Sequence, residues 1–279
     1  MGDILFSVDS RYKRDIIHLF VDNELKVGIK NSAGMFISSA ISPFQLAAYI
    51  YSSLAEQIDK KSIFFDSGAD FYYKGEWKGK GVVKIYKGRI SPVKEKFPLK
   101  LTSAKIEGNF FSENEEFNLI FKLTAVKSLE FIGLLLARTK PLPHYFLSEI
   151  KLIRKDSGIS FKIGAGKPLI LPPDDINVLL FALERWISGY CIADEYEIEK
   201  FNFLPDIEKE SRERPYRTTR VNRNGFLFSA KINFKEFMEH NNSILKTNIN
   251  INGFMTQLTF MEIVELYFVL KNMYSSFVE

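Results

Sequence analysis

The sequence predicts an α+β chain of four tandem units, each a run of antiparallel β-sheet followed by one amphipathic helix, paired into two modules. Three observations predict it. Alternating segments run straight into helix starts four times, in FISSAISPFQLAAYI, LIFKLTAVKSLEFIGLLL, LILPPDDINVLLFALERWI and MTQLTFMEIVELYFVLKNM, with helices beginning near Ser42, Thr124, Pro172 and Thr259. The strand segments alternate apolar and polar residues with period two, as Ile159, Phe161 and Ile163 do against Ser160 and Lys162. An apolar share of 46%, with 26 Phe and 12 Tyr among 279 residues, supplies enough core for such units to bury their sheet faces and helix stripes together.

In the first unit, 1–60, strands are expected near 4–8, 15–21, 25–30 and 34–39, with polar connections at Asp22-Asn23 and Ser32-Ala33-Gly34. Leu25, Val27 and Ile29 oppose Lys26 and Lys30. Ser42 suits an N-cap, and Pro43 suits the first helical position, where a missing N–H costs no bond. A helix over 43–58 would carry the stripe Leu46, Tyr49, Ile50 and Leu54. The second unit, 61–141, has expected strands near 70–76, 80–90, 98–108 and 115–123. Thr124 then caps a helix with the stripe Leu129, Ile132, Leu135 and Leu136. Lys140-Pro141-Leu142-Pro143 ends this helix and divides the chain into modules 1–141 and 142–279.

The third unit, 142–189, reads as strands near 144–154, 158–164 and 167–171, then a helix over 173–188. Asp174 and Asp175 sit in its first turn, favourable to the helix dipole. Its stripe is Ile176, Leu179, Leu180, Leu183 and Ile187. An acidic connector, 190–213, reads as an exposed excursion. The fourth unit, 214–279, has expected strands near 216–222, 225–235, 243–252 and 254–258, and a helix over 259–276. Here Phe226, Phe228, Ile232 and Phe234 oppose Ser229, Lys231, Asn233 and Lys235, and Ile249 and Ile251 oppose Asn248, Asn250 and Asn252. The helix of each unit would cover the apolar face, leaving a Lys- and Asn-rich face open.

Composition narrows the chemistry. Cys191 is the single cysteine, so no internal disulfide and no multi-cysteine zinc site can form. His18, His144 and His240 are isolated, without a second ligand at metal spacing, so no metal and no cofactor are expected. Charges interrupt the first residues, MGDILFSVDSRYKRD, which argues against a secretory signal. The longest apolar run, FIGLLLA over 131–137, is too short to span a membrane, so a cytoplasmic or nucleoid-associated location is expected.

The net charge of +4 is unevenly spread. Residues 74–100 hold nine Lys/Arg against two Glu and residues 209–235 eight against two, whereas 192–208 is acidic. Clustered positive charge suits a polyanion, although Lys on hairpin edges also blocks edge-to-edge association. Single strands are held by cations that track phosphates and aromatics that stack on bases. Lys74, Trp77, Lys78, Lys80, Lys84, Tyr86, Lys87 and Arg89 offer both within one hairpin. Glycines at 75, 79, 81 and 88 would permit close approach. Arg217, Arg220, Arg223, Lys231 and Lys235 form the second candidate patch. Units two and four are therefore expected to carry the contacts, and units one and three to be mainly structural.

A sheet of about four antiparallel strands and one helix, repeated in pairs, resembles the single-stranded nucleic-acid binding superfamily of the transcriptional positive coactivator, Whirly and Pur-alpha proteins. Locally, IGAGKPLILPPDDINVLLFALERWI over 163–187 looks like the end of the coactivator domain. The resemblance implies that two units intertwine into one module whose curved sheets bind single strands. Four units would then make two modules, a pseudo-dimer. The expected function is non-enzymatic binding of single-stranded DNA or RNA, with possible protein partners or self-association and no membrane. The alternative is a protein-interaction or scaffold module that presents sheet edges to protein partners. An enzymatic reading rests on Asp66 and Asp70 followed by Glu76-Trp77-Lys78, the acidic pair and Glu-x-Lys of metal-dependent nucleases, but the spacing is cramped and Gly75 and Gly79 suggest a turn. Gly164-Ala165-Gly166-Lys167 lacks a full phosphate loop and reads as a hairpin turn.

Overall fold

A computed structural model describes residues 4–9, 16–21, 27–30, 35–39, 41–54, 63–74, 76–87, 104–111, 116–123, 125–137, 139–191, 216–223, 225–233 and 246–278. Side chains are described for 41–52, 70–74, 76–81, 123, 126–137, 139–187, 221–223, 225–231 and 246–278. The described chain is mixed α+β, with four helices and three antiparallel sheets. It divides into two compact units, Met1–Ala55 with Lys61–Thr139, and Lys140–Glu279 with Glu56–Lys60.

The first compact unit runs β1 (Ile4–Asp9), β2 (Ile16–Val21), β3 (Val27–Lys30), β4 (Met35–Ser39), α1 (Pro43–Leu54), β5 (Ile63–Tyr73), β6 (Glu76–Lys87), β7 (Ala104–Phe111), β8 (Glu116–Leu123) and α2 (Ala125–Ala137). Its strands make one eight-stranded sheet in chain order, not the two sheets expected. The join is β4 to β5, where Ile37 stands opposite Phe71 and Ser38 opposite Asp70. Strand β5 starts at Ile63, ahead of the expected 70, and is long enough to pair with all of β4. Pairing satisfies the backbone groups that two separate sheets would have left on open edges.

The N-cap of α1 follows the sequence reading. The Ser42 hydroxyl accepts from the Gln45 N–H at 3.1 Å, and the Gln45 carbonyl oxygen accepts from the Ser42 N–H at 3.3 Å, a reciprocal capping box. Helix α1 buries Phe44, Leu46, Ala47, Ala48 and Ile50 and packs against α2 and strands β5 to β7. In α2 the buried arc is Ser128, Phe131, Ile132 and Leu135, whereas Leu129, expected in the stripe, is 45% exposed. At about 100° per residue, Leu129 lies beyond the edge of that arc. The side chain of Leu54 and the cap expected at Thr124 lie outside the described residues.

The second compact unit runs β9 (His144–Leu147), β10 (Ile150–Lys155), β11 (Gly158–Ile163), β12 (Leu169–Leu171), α3 (Pro173–Cys191), β13 (Tyr216–Arg223), β14 (Phe226–Asn233), β15 (Lys246–Ile251), β16 (Phe254–Thr259) and α4 (Phe260–Ser275). It holds two four-stranded meanders, β9–β12 and β13–β16. One expectation is corrected here: 144–154 is not a single strand but a hairpin. Its turn is Ser148-Glu149, with Ser148 at φ +50°, and Leu147 pairs with Ile150. Beyond Cys191, the acidic connector expected over 190–213 lies outside the described residues.

Each helix of this unit serves both sheets. Helix α3 touches β11 and β12 of its own run and β13 and β14 of the next, and α4 touches β16 and also β9. Their shared core includes Leu152, Phe161, Ile176, Leu183, Trp186, Phe226, Phe228, Ile249 and Leu266. All five residues of the expected α3 stripe are buried. Phe161 of one sheet meets Phe254 of the other edge-to-face at 5.9 Å. The Tyr145 hydroxyl donates to Glu265 Oε1 at 2.7 Å, and the Leu142 N–H donates to Asn272 Oδ1 at 3.0 Å, tying the start of the third run to the last helix. Thr259 and Glu262 form a capping box at the start of α4.

Candidate nucleic-acid interface

The β5–β6 hairpin carries the first candidate patch. Its turn is at Lys74, with φ +50°, earlier than expected, so Trp77 to Lys80 belong to strand β6. The register shifts after Phe71: Phe71 faces Gly79 and Tyr72 faces Trp77, leaving Lys78 as an extra residue in a bulge. Gly79, at φ +144°, lies in this bulge and is buried, as is Phe71. Trp77 stays 57% exposed, and its indole N–H donates to Asp70 Oδ1 at 3.1 Å. Lys78 Nζ lies 3.3 Å from Glu76 Oε2, and Lys74 Nζ lies 5.2 Å from the Tyr73 ring centre. Of the acidic residues that suggested a nuclease, Asp70 and Glu76 are thus engaged with the Trp77 and Lys78 beside them.

Two cations of this hairpin face carboxylate positions across the ladder. Lys80 stands opposite Asp70, and Lys84 stands opposite both Asp66 and Glu107. Directly opposed unlike charges attract each other, which offsets the field available to a polyanion. Lys84, Tyr86 and Lys87 are described here only by their positions in β6, and Arg89 lies outside the described residues.

The second candidate patch is split by strand alternation. Arg220 pairs with Ser229 and shares the parity of Lys231, whereas Arg217 pairs with Ile232 and Arg223 with Phe226, on the parity of the buried Phe228 row. Arg223 and Lys231 are exposed; Lys235 lies outside the described residues. The open face of β13–β16 therefore comprises the rows Arg220–Ser229–Asn250–Met255 and Thr218–Lys231–Asn248–Gln257, flanked by Asn222–Leu227 on one side and by Tyr216–Asn233 and Lys246–Thr259 on the other. Gln257 Nε2 donates to Asn248 Oδ1 at 2.8 Å across two strands. Asn250 accepts from the Gly253 N–H of the β15–β16 turn at 2.8 Å, and Asn252 of that turn accepts from the Leu227 N–H of β14 at 2.6 Å.

The sheet expected to be structural has the most mixed open face. In β9–β12, one row is Phe146–Lys151–Lys162 and the next His144–Ile153–Ser160–Ile170. Phe146 is 61% exposed, Lys151 Nζ lies 5.2 Å from its ring centre, and the His144 ring packs nearly perpendicular to it with ring centres 6.2 Å apart. Ile153 and Lys162 are half-buried, Ser160 between Ile153 and Ile170 is buried, and Lys155 and Ile170 are exposed. The opposite face carries Tyr145, Leu147, Ile150, Leu152, Ile159 and Phe161 into the core. Reading 144–154 as one strand would set Phe146 on the same side as Ile150 and Leu152. The two-residue turn reverses that parity and brings Phe146 beside Lys151. The polar pair Ser148-Glu149 between Leu147 and Ile150 is the signal that could have located this hairpin.

Among the described residues, no open-face position of either sheet in this unit is Asp or Glu, although the same unit carries Glu149, Asp156, Asp174, Asp175 and Glu184 on turns and on α3. The buried carboxyl is elsewhere: Glu265, on α4, is pushed up to about 7 by burial, aided by neighbouring Glu262 and opposed by the Tyr145 hydrogen bond. Among the described residues no group of three or more His, Cys, Asp or Glu is arranged to hold a metal ion. Among them, too, no helix is long and apolar enough to cross a membrane. Comparison with protein-family models, curated proteins and solved structures finds no match to the chain.

Proposed function

We propose that the chain is a non-enzymatic single-stranded nucleic-acid binding protein, for DNA or RNA, that works through the open sheet faces of its second compact unit. The observation that carries this reading is the exclusion of carboxylates from both described faces while Arg220, Lys151, Lys155, Lys162, Lys231 and Lys246 occupy them. A phosphate chain lying on such a face meets cations and neutral amides and no opposing charge. The sharing of α3 and α4 between two sheets agrees with the intertwined module that the coactivator, Whirly and Pur-alpha resemblance implies. The test is a salt titration of the full chain with labelled single strands. Affinity should fall linearly on a log–log plot, by roughly 0.7 in slope for each phosphate contact. No binding at low salt refutes the proposal.

A second reading, a protein-interaction module, is favoured by Leu227 and by Met255, 70% exposed, on the open face of β13–β16. A partner held there by apolar contact would bind with little dependence on salt.

A further inference from the structure

We infer that the open face of β9–β12 is a base-stacking platform centred on Phe146, so the ligand is recognised through unpaired bases as well as phosphates. This rests on the nucleic-acid reading above and deepens it. Phe146 projects from a face whose core side is already filled by Tyr145 and Leu147, so its exposed ring contributes little to the fold. Its neighbours divide into two kinds. Ile153 and Ile170 continue the apolar floor in the next row, and Lys151, Lys155 and Lys162 supply cations around it. Adjacent strands are about 4.8 Å apart, so Phe146 and Lys162, two strands away, are separated by roughly 10 Å across the sheet. That places a stacked base and a neighbouring phosphate of one strand within reach of one row. A paired duplex buries its base faces in its own stack and cannot use the ring, whereas single strands can. By register the face of β13–β16 carries Tyr216 opposite Asn233 at one end, and its Lys231, Asn248 and Gln257 suit the backbone.

The experiment uses the full chain with Phe146→Ala and Phe146→Trp. Because Phe146 is exposed, both variants should keep the parent's thermal unfolding profile. Phe146→Ala should lose roughly 5- to 150-fold in single-strand affinity, as expected for one lost stack, with an unchanged salt slope because no cation is removed. Phe146→Trp should bind like the parent, and its added fluorescence should be quenched by single strands and not by duplex. Phe146→Ala within twofold of the parent overturns the platform while leaving the nucleic-acid reading intact, and a parent that binds duplex as well as single strands overturns the platform together with the single-strand selectivity. A parent that binds neither removes both.

Discussion

Glu265 offers a quantitative test of the packing of the second compact unit. It is 6% exposed, lies against β9 through Tyr145, and its carboxyl is raised from an ordinary value of 4.5 to about 7. In the folded chain it keeps its proton up to about pH 7, whereas the unfolded chain releases it near 4.5. Between those values the folded state binds more protons, so rising pH favours unfolding. The contribution is present below the lower value, fades across the interval and is absent above about pH 7. At about 1.4 kcal/mol per tenfold, the interval is worth roughly 3 kcal/mol, or on the order of 10 °C in the melting temperature of a unit this size. Glu265→Gln keeps an acceptor for the Tyr145 hydroxyl and removes the titration. Trp186 is fully buried in this unit, so its fluorescence in a Trp77→Phe background reports its unfolding. Glu265→Gln should match the parent at about pH 4, below the lower value, and exceed it at pH 8. Taking the difference between the two proteins cancels every ionisable group that they share. Parallel pH profiles for parent and variant would refute the burial argument. Tyr145→Phe removes the one interaction that lowers the Glu265 value and should move the transition to higher pH.

Gly158 pairs with Lys155 at φ +137°, and a Cβ there would lie 1.9 Å from the Leu171 carbonyl oxygen. Gly158→Ala should cost roughly 3 kcal/mol, read as a lowered midpoint in urea unfolding followed by Trp186. Thr259→Ala removes the hydroxyl of the α4 capping box and should cost about 1 kcal/mol in the same assay. On binding, Lys151→Ala with Lys162→Ala should lower the salt slope by about 1.4. Replacing Lys78, Lys80, Lys84 and Lys87 should weaken binding of all sequences less, despite the larger charge removed, because Lys80 and Lys84 stand opposite carboxylate positions. Competition filter binding ranks the two variants, and the reverse order would return the interface to the β5–β6 hairpin. Trp77→Ala should likewise cost less than Phe146→Ala, since the indole is already held by Asp70.

Local patterning carried a large part of the fold. The helix starts at Ser42 and Thr259 were readable because a cap and its Gln or Glu partner are neighbours in sequence. The α3 stripe was readable because a 19-residue helix repeats its period often enough to mark one face. The opposition of Phe226 and Phe228 to Ser229 and Lys231 followed from strand alternation alone.

What the sequence by itself determined is therefore chemistry that depends on near neighbours: four helices, the starts of two of them at Ser42 and Thr259, the core face of α3, and an excess of cations over carboxylates in particular segments. Three decisions belonged to tertiary structure. Pairing of β4 with β5 merged two strand runs into one sheet, because edge satisfaction depends on which strands meet. The Ser148-Glu149 turn changed which residues share a face, since one short turn inverts the parity of everything after it. Cross-strand register then decided which cations meet carboxylates and which do not, setting Lys80 against Asp70 and Lys151 beside Phe146. Register is a property of two strands at once, and a linear reading of either strand does not contain it.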